Sequence, residues 1–475
     1  DHPWVDAADG AAVRIAMTTA TGGTHPGTLA TVTQETESEG DGYDVVLATR
    51  TGSINADLSV GANVSSATPL QANCNISCPG VKLHGAGFII TPTEAGLLGF
   101  GSVAGLEKHI RPYLNGKDIT ANSRGAMVID LFGLSENQSR TLYPAVFQHL
   151  LNHVKPERDS NRNEQIKLNW WLHGRPRPEL RDYLLGLPRY IATVETSKHR
   201  FFVFLDASIL PDNMLVNIAL DDAYALGVLS SRIHVCWALV QGGTLEDRPR
   251  YNKTRCFETF PFPSATPEQQ QRIREIGEQL DAHRKRQQAQ HPDLTMTGMY
   301  NVLEKLRGVE PLTPKDKIIH EKGLVSVLKQ LHDDLDTAVA AAYGWPPDLP
   351  DDEILTRLVA LNAQRAAEET NGQIQWLRPD FQNKKATQTT IPLPSSQPAT
   401  FNLQPVTRAK AAWPKALPDQ MRLLRQALTD SPTPVTAPEI ANRFIRVRVD
   451  KVEELLQTLA TLGQARELPG GKYGC

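Results

Sequence analysis

The chain has 475 residues, 40% hydrophobic and 22% charged, with a formal net charge of -3. That length holds about three domains, and the composition is that of a globular protein with a core rather than a disordered or fibrous one. No apolar run approaches the roughly 18 residues of a membrane span, and the start, Asp1-His2-Pro3-Trp4, has neither the basic cluster nor the apolar stretch of a signal peptide.

The charge is uneven. Residues 1–104 carry 3 basic against 10 acidic residues, whereas 105–262 carry 20 against 17. Within the latter, 153–200 holds 10 against 6 and adds His153, His173 and His199. A basic patch on an otherwise acidic chain suits phosphate binding as well as a plain solvated face.

In chain order, 1–104 reads as β-rich. Strand-like runs fall at 12–17, 29–33 and 43–48, separated by Gly22-Gly23 and Pro26-Gly27. They hold too little apolar material for a core of their own and are expected to complete a sheet begun elsewhere. Residues 105–263 are mixed, with strands expected at 127–132 and 201–205 and one helix over 222–240, where Leu226, Leu229, Ile233, Trp237 and Val240 recur at helical steps. Residues 264–376 read as helical. Thr266-Pro267-Glu268 is a capped start, Leu324, Val327, Leu328 and Leu331 form one stripe, and Ile354, Leu355, Leu358, Val359 and Leu361 another. The second stripe opens after Asp351-Asp352-Glu353, whose charges suit a helix N-terminus.

Residues 377–417 are rich in Pro, Thr and Gln and read as a linker. Residues 418–475 read as a winged helix: helices around Met421, Leu424 and Leu428, around Ile440, and around Val452, Leu455, Leu456 and Leu459, then a hairpin over 465–473. Such units often bind DNA. The third helix carries Glu453 and Glu454, which favours a protein-binding use here.

Five cysteines, Cys74, Cys78, Cys236, Cys256 and Cys475, are an odd and scattered set, which points to a reducing cytosol and no disulfide framework. Cys74 and Cys78 lack a second ligand pair for zinc. Methylation of a base amine needs a Gly-rich turn after a strand and an Asn/Asp/Ser-Pro-Pro-aromatic tetrapeptide that grips the flipped base. Pro346-Pro347 has the wrong residue on both sides, and Gly99-Phe100-Gly101-Ser102-Val103-Ala104-Gly105 misses the nucleotide-loop spacing by one. No Walker lysine, zincin motif or Gly-x-Ser-x-Gly elbow is present.

The segment 189–263 is the most informative. It runs Arg189-Tyr190-Ile191-Ala192-Thr193, Ser197-Lys198-His199-Arg200-Phe201-Phe202, Leu205-Asp206-Ala207-Ser208-Ile209-Leu210-Pro211-Asp212, then Arg248-Pro249-Arg250-Tyr251 and Phe257-Glu258-Thr259-Phe260-Pro261-Phe262-Pro263. This order resembles the target-recognition domain of MmeI-like (Type IIL) restriction-modification enzymes and related methyltransferases of bacterial defence islands. His109 to Ile119 looks like the start of the same domain. Trp4-Val5-Asp6 with Asp9 to Met17 resembles the strand region that follows the catalytic tetrapeptide.

The resemblance covers about 1–375. Over that span it implies a β-rich remnant of a class I methyltransferase sheet (1–104), a mixed α/β target-recognition domain (105–263) and a helical domain (264–376); with the linker (377–417) and the winged helix (418–475) read above, the expected fold is an α+β, multidomain chain. It also implies that the chain starts downstream of the catalytic motif of a longer, S-adenosylmethionine-dependent, adenine-specific DNA methyltransferase. No cofactor, metal or catalytic residue is then expected within it, and whether it is an enzyme by itself stays open.

The expected partners are double-stranded DNA and an N-terminal catalytic half, in the same polypeptide or a partner subunit, within a bacterial cytoplasm and without a membrane. The alternative is a non-catalytic DNA-binding or scaffolding subunit of a multi-protein defence complex. The expected DNA contacts are Arg111, Lys117, Arg189, Lys198, His199, Arg200, Arg248, Arg250 and Tyr251. Arg can grip guanine or phosphate in a bidentate way, and Lys acts as a point charge. Most such contacts go to backbone rather than bases, and the plain alternative for each residue is a surface cation. Tyr190, Trp170 and Trp171 read first as core and second as stacking platforms. Glu195 and Asp206 read first as salt-bridge partners and second as cytosine readers. Phe257, Phe260 and Phe262 read as packing residues.

Overall fold

The computed structural model describes residues 2–3, 14–23, 25–37, 43–55, 58, 60–245, 248–308, 310–383, 411–414, 417–429, 435–441, 444–445, 447–461, 465–468 and 472–474. Two compact units emerge, Asp1–Thr389 and Thr390–Cys475.

The first unit opens with β1 (His2–Pro3) paired antiparallel to β2 (Arg14–Ile15). The rest of the stretches at 4–6 and 9–13 that carried the N-terminal resemblance lies outside the described residues. Next, β3 (Gly27–Glu37) and β4 (Tyr43–Gly52) form one long antiparallel hairpin with an irregular register between Val32 and Gln34. It contains both expected strands. Val46 and Leu47 on it are exposed, as in a ribbon with no second layer over it.

Two four-stranded sheets follow. Their first elements are β5 (Ser77–Pro79), β6 (Ile89–Ile90), α1 (Pro92–Leu97), β7 (Ile110–Leu114), α2 (Gly116–Thr120) and β8 (Met127–Ile129). Short helices come next: α3 (Glu136–Leu142), α4 (Pro144–His153), α5 (Lys155–Asp159), α6 (Glu164–Leu168) and α7 (Pro178–Leu184). The strands end with β9 (Arg189–Val194), β10 (Val203–Asp206), β11 (Leu210–Pro211) and β12 (Leu215–Ile218). One sheet has the order β11-β7-β8-β6, with β11 parallel to β7, and the other is antiparallel, β10-β9-β12-β5. Central β9 is buried from Tyr190 to Val194, which is why its sequence is an unbroken run without alternation.

The helix expected over 222–240 is two helices, α8 (Ala223–Ser230) and α9 (Arg232–Gly242), meeting at a bend of 64°. Ser231 makes the break. Its backbone is extended, and its hydroxyl accepts from the His234 amide as the N-cap of α9. Both helices are largely buried, which blurs the periodic signal that suggested one helix. A small hairpin, β13 (Thr244–Leu245) with β14 (Arg248–Pro249), leads on to the Phe-rich run.

Then come α10 (Pro267–Gln290), with the Thr266 cap in place, α11 (Met296–Gly308), α12 (Pro314–Gly323), α13 (Val325–Tyr343), α14 (Asp351–Thr370) and α15 (Pro379–Gln382). The boundary drawn at 263/264 falls inside one continuous core. Ile191, Phe202, Leu226, Trp237, Phe260, Leu280, Leu335 and Leu358 all belong to it. A second core, with Phe88, Val128, Ile129, Phe147 and Trp170, lies under the β11-β7-β8-β6 sheet. The stripe at 324–331 is shifted: Leu324 is left-handed (φ 43°) and exposed, Val327 is exposed, and α13 buries Val325, Leu328, Leu335 and Val339 instead. The first linker residues are packed too. Gln382 donates to the carbonyls of Ala72 and Cys74, and Arg378 to that of Leu185. Residues 384–410 lie outside the described ones.

In the second unit, β15 (Ala411–Ala412), α16 (Leu417–Thr429), β16 (Val435–Thr436), α17 (Ala437–Ala441), β17 (Phe444–Ile445), α18 (Val449–Thr461), β18 (Arg466–Leu468) and β19 (Lys472–Gly474) enclose a core of Leu424, Leu428, Ile440, Val452, Leu456 and Tyr473. The sheet order is β16-β19-β18. The turn of the expected hairpin, 469–471, lies outside the described residues.

Candidate nucleic-acid interface

A cleft of about 780 Å³ lies where α2, the loop 195–200, β14 and α11 converge. Asn115, Lys117, Lys198, Asp212, Arg248 and Thr297 line it. Each part is held locally. Asn115 caps α2 by accepting from the amides of Lys117 and Asp118, while Asp118 accepts from the Asn115 amide and pairs with Arg124 at 2.8 Å. This holds Lys117 on the rim, exposed. Asp212 accepts from the Tyr113 hydroxyl at 2.6 Å and from the Met214 amide; these neutral donors fix its orientation and leave its negative charge in the cleft.

The loop 195–200 owes its shape to Arg200. That guanidinium is buried and donates to Thr193 Oγ1, to the Val194 carbonyl and, at 3.1 Å, to the Pro249 carbonyl. It lies 5.1 Å from the centre of the Tyr251 ring, and burial pushes it down to about 10. The Ser197 amide also donates to the Pro249 carbonyl. Arg200 thereby ties the segment bearing Lys198 to the strand bearing Arg248.

The nine expected contacts therefore separate. Lys117, Lys198 and Arg248 meet at one cleft. Arg200, His199 and Tyr251 are buried and do not reach a ligand surface. Tyr251 is fully enclosed, its hydroxyl 3.0 Å from His234 Nε2; burial drives the Tyr251 phenol well up and the His234 imidazole down to about 3. Arg111 donates to the carbonyls of Ala207 and Ser208, and burial lowers its affinity for a proton. Arg189 pairs with Glu278 of α10, donates to the Asp221 carbonyl and lies over the Phe204 ring, 3.7 Å from its centre. These two arginines are structural ties. Arg250 pairs with Glu195 and stays about half exposed. Buried basic groups must find acceptors inside the protein: Arg111 and Arg200 find mainly backbone carbonyls, and Arg189 a carboxylate and a carbonyl.

Glu195 is a salt-bridge partner, as first read, and Asp206 accepts from the Ser208 amide. Tyr190, Trp170 and Trp171 are core. Phe257, Phe260 and Phe262 pack in the main core. Asn73 Nδ2 donates to the carbonyls of Phe257 and Phe260 at 2.9 and 2.7 Å, and Asn362 Nδ2 donates to that of Thr259.

The sequence reading missed α11. Thr297 faces the cleft, and Asn301 Oδ1 accepts from Lys198 Nζ at 2.6 Å and lies 2.8 Å from His199 Nε2. The pattern of α11 marks only its buried side, Met299, Tyr300, Val302 and Leu303.

The Gly99–Gly105 loop does not fit S-adenosylmethionine. Its glycines have φ of 97°, 85° and 83°, but it follows a helix and opens into a short 3-10 turn, Leu106–Lys108, where a donor cradle follows a strand and opens a helix. Among the described residues, no group of three His, Cys, Asp or Glu side chains is placed to hold a metal.

Residues 82–264 match the family model for the MmeI target recognition domain. The match covers under half of the chain. The matched segment includes Lys117, Lys198 and Arg248 but not α11. The chain is also 28% identical over 134 residues to DNA methyltransferase A of Bacillus subtilis (strain 168), an alignment covering 27% of this chain and 14% of that protein. A solved structure of the Type IIL restriction-modification enzyme MmeI in complex with DNA shares the fold, with a TM-score of 0.53 and 18% identity over 72% of this chain and 42% of that one. The matched regions cover less than half the length of either protein.

Proposed function

We propose that the chain reads a DNA target sequence for a methyltransferase of a restriction-modification system. The observation that carries this reading is the meeting of Lys117, Lys198 and Arg248, from three separate elements, at one cleft within the recognition domain. A duplex laid across the cleft would place phosphates on the two ammonium groups, while the Arg248 guanidinium has the fork geometry for phosphate or for a guanine edge. The reading is supported by the names of the similar proteins, one a DNA methyltransferase and one determined bound to DNA.

In its finer form, the methyl donor is S-adenosylmethionine, the target is an adenine amine, and both are handled by a catalytic half outside these residues. The exposed ribbon β3–β4 would then add to the sheet of that half, and the whole would act in defence against phage. The test is fluorescence anisotropy of a labelled mixed-sequence duplex with the full chain across a salt series. For every phosphate no longer neutralised, the slope of log K against log salt should become shallower by about 0.9. Lys117→Ala combined with Arg248→Ala should flatten the slope in this way, and unchanged binding would overturn the reading.

A further inference from the structure

The recognition domain ends at 264, yet the cleft has a wall beyond it. On α11, Thr297 lines the cleft, Asn301 accepts from Lys198 Nζ, and Glu304 Oε2 lies 3.9 Å from the same nitrogen. Asn301 Oδ1 also faces His199 Nε2, while His199 Nδ1 lies 3.1 Å from Glu304 Oε1. His199 is buried and Lys198 exposed, so the imidazole is a fixed post and the ammonium a movable head. An unrestrained Lys side chain loses rotamer entropy when it settles on one phosphate. An amide oxygen that already holds the ammonium, without neutralising it, removes part of that cost. A carboxylate in its place would compete with the phosphate.

We infer that α11 is a working part of the DNA cleft, and that Asn301 is a positioning residue that holds Lys198 toward the backbone of a bound duplex. The inference rests on the DNA reading of the cleft. Two neighbours act in opposite senses: Asn301 orients the ammonium, and Glu304 draws it back toward the helix. Asn301→Leu should therefore weaken duplex binding and Glu304→Gln should strengthen it.

The experiment is a double-mutant cycle in the full chain, using the labelled mixed-sequence duplex. The variants are Asn301→Leu, Lys198→Met, both together, and Glu304→Gln. Asn301→Leu is expected to weaken binding several-fold in the wild-type background and to have no further effect once Lys198 is Met. A purely structural role would weaken binding equally in both backgrounds, and that result overturns the inference. Should Asn301→Leu fail to fold, the exposed Glu304→Gln decides: tighter binding that disappears with Lys198→Met supports the inference, and no change refutes it. Loss of binding in the Lys117→Ala, Arg248→Ala variant together with an indifferent cycle would sink this inference alone. An indifferent Lys117→Ala, Arg248→Ala variant would sink the DNA reading beneath it.

Discussion

Gly277 on α10 passes so close to Ala223 on α8 that a methyl group added to it would sit 2.4 Å from the Ala223 carbonyl oxygen. The crossing is two-sided, for a methyl group on Gly227 would meet Ile273 Cγ2 at 2.6 Å. These two glycines join α8, the helix that follows β12, to α10, the first of the long helices after residue 264.

Replacing Gly277 with Ala gives a result whose sign is informative. In an exposed helix the change stabilises by about 1 kcal/mol. Here the added carbon meets backbone, so overpacking costing about 1–3 kcal/mol should prevail. Urea unfolding should show a lower midpoint in a single transition for the whole first unit. A raised midpoint would mean the helices do not cross this closely.

Arg200 and Lys117 should separate two effects that charge alone does not distinguish. Arg200→Met removes donors from the Val194 and Pro249 carbonyls and from Thr193 Oγ1 and should cost several kcal/mol of stability. Lys117→Ala should leave the melting temperature within a degree or so, since exposed charges contribute little to stability. Calorimetry on both variants, beside duplex titrations, checks this; an unaltered melting temperature for Arg200→Met would contradict its place in the core.

Acid should destabilise the first unit through its enclosed histidines. His234 is held neutral down to about 3 by burial, and His332 is depressed well below its ordinary 6.5 for the same reason. Between those values the unfolded chain binds the protons that the folded chain refuses, so stability is full above 6.5 and falls as pH drops. Each such group adds about 1.4 kcal/mol per pH unit to the slope. Asp336 works in the opposite sense, because burial raises it to about 6 and its contribution is lost as pH rises through that value. The histidines should prevail, and His234→Asn should flatten unfolding free energy between pH 6 and 4 by about one proton.

The second unit has its own core, so a charge placed there should act locally. Leu456→Asp, at a fully buried position, should abolish the folding transition of 411–474 and leave that of the first unit intact. On α18, Asp450, Glu453 and Glu454 are exposed, and with acidic groups outward we expect duplex affinity to survive this variant. A drop in affinity would move DNA contacts onto the second unit.

Much of the order of elements was legible in the sequence, because caps and turn residues act locally. Thr266 and the acidic start of α14 are instances. What was not legible came from contacts distant along the chain. The break at Ser231 is masked because both helices are buried. Leu324 looks like a stripe residue until its left-handed backbone is seen. The site suffered most: charge marks Arg200 and Lys198 alike, and only the packing of the loop 195–200 against β9, Pro249 and the Tyr251 ring decides that one lies inside and the other outside. Asn301, about a hundred residues from Lys198, gives no local sign at all.

The most direct measurement is hydrogen exchange of the full chain with and without a saturating duplex. The account predicts slowed exchange at 115–120, at 196–199, at Arg248 and at 296–304, the four places that border the cleft. Protection confined to 92–105 or 449–461, with those four places unaltered, would contradict it.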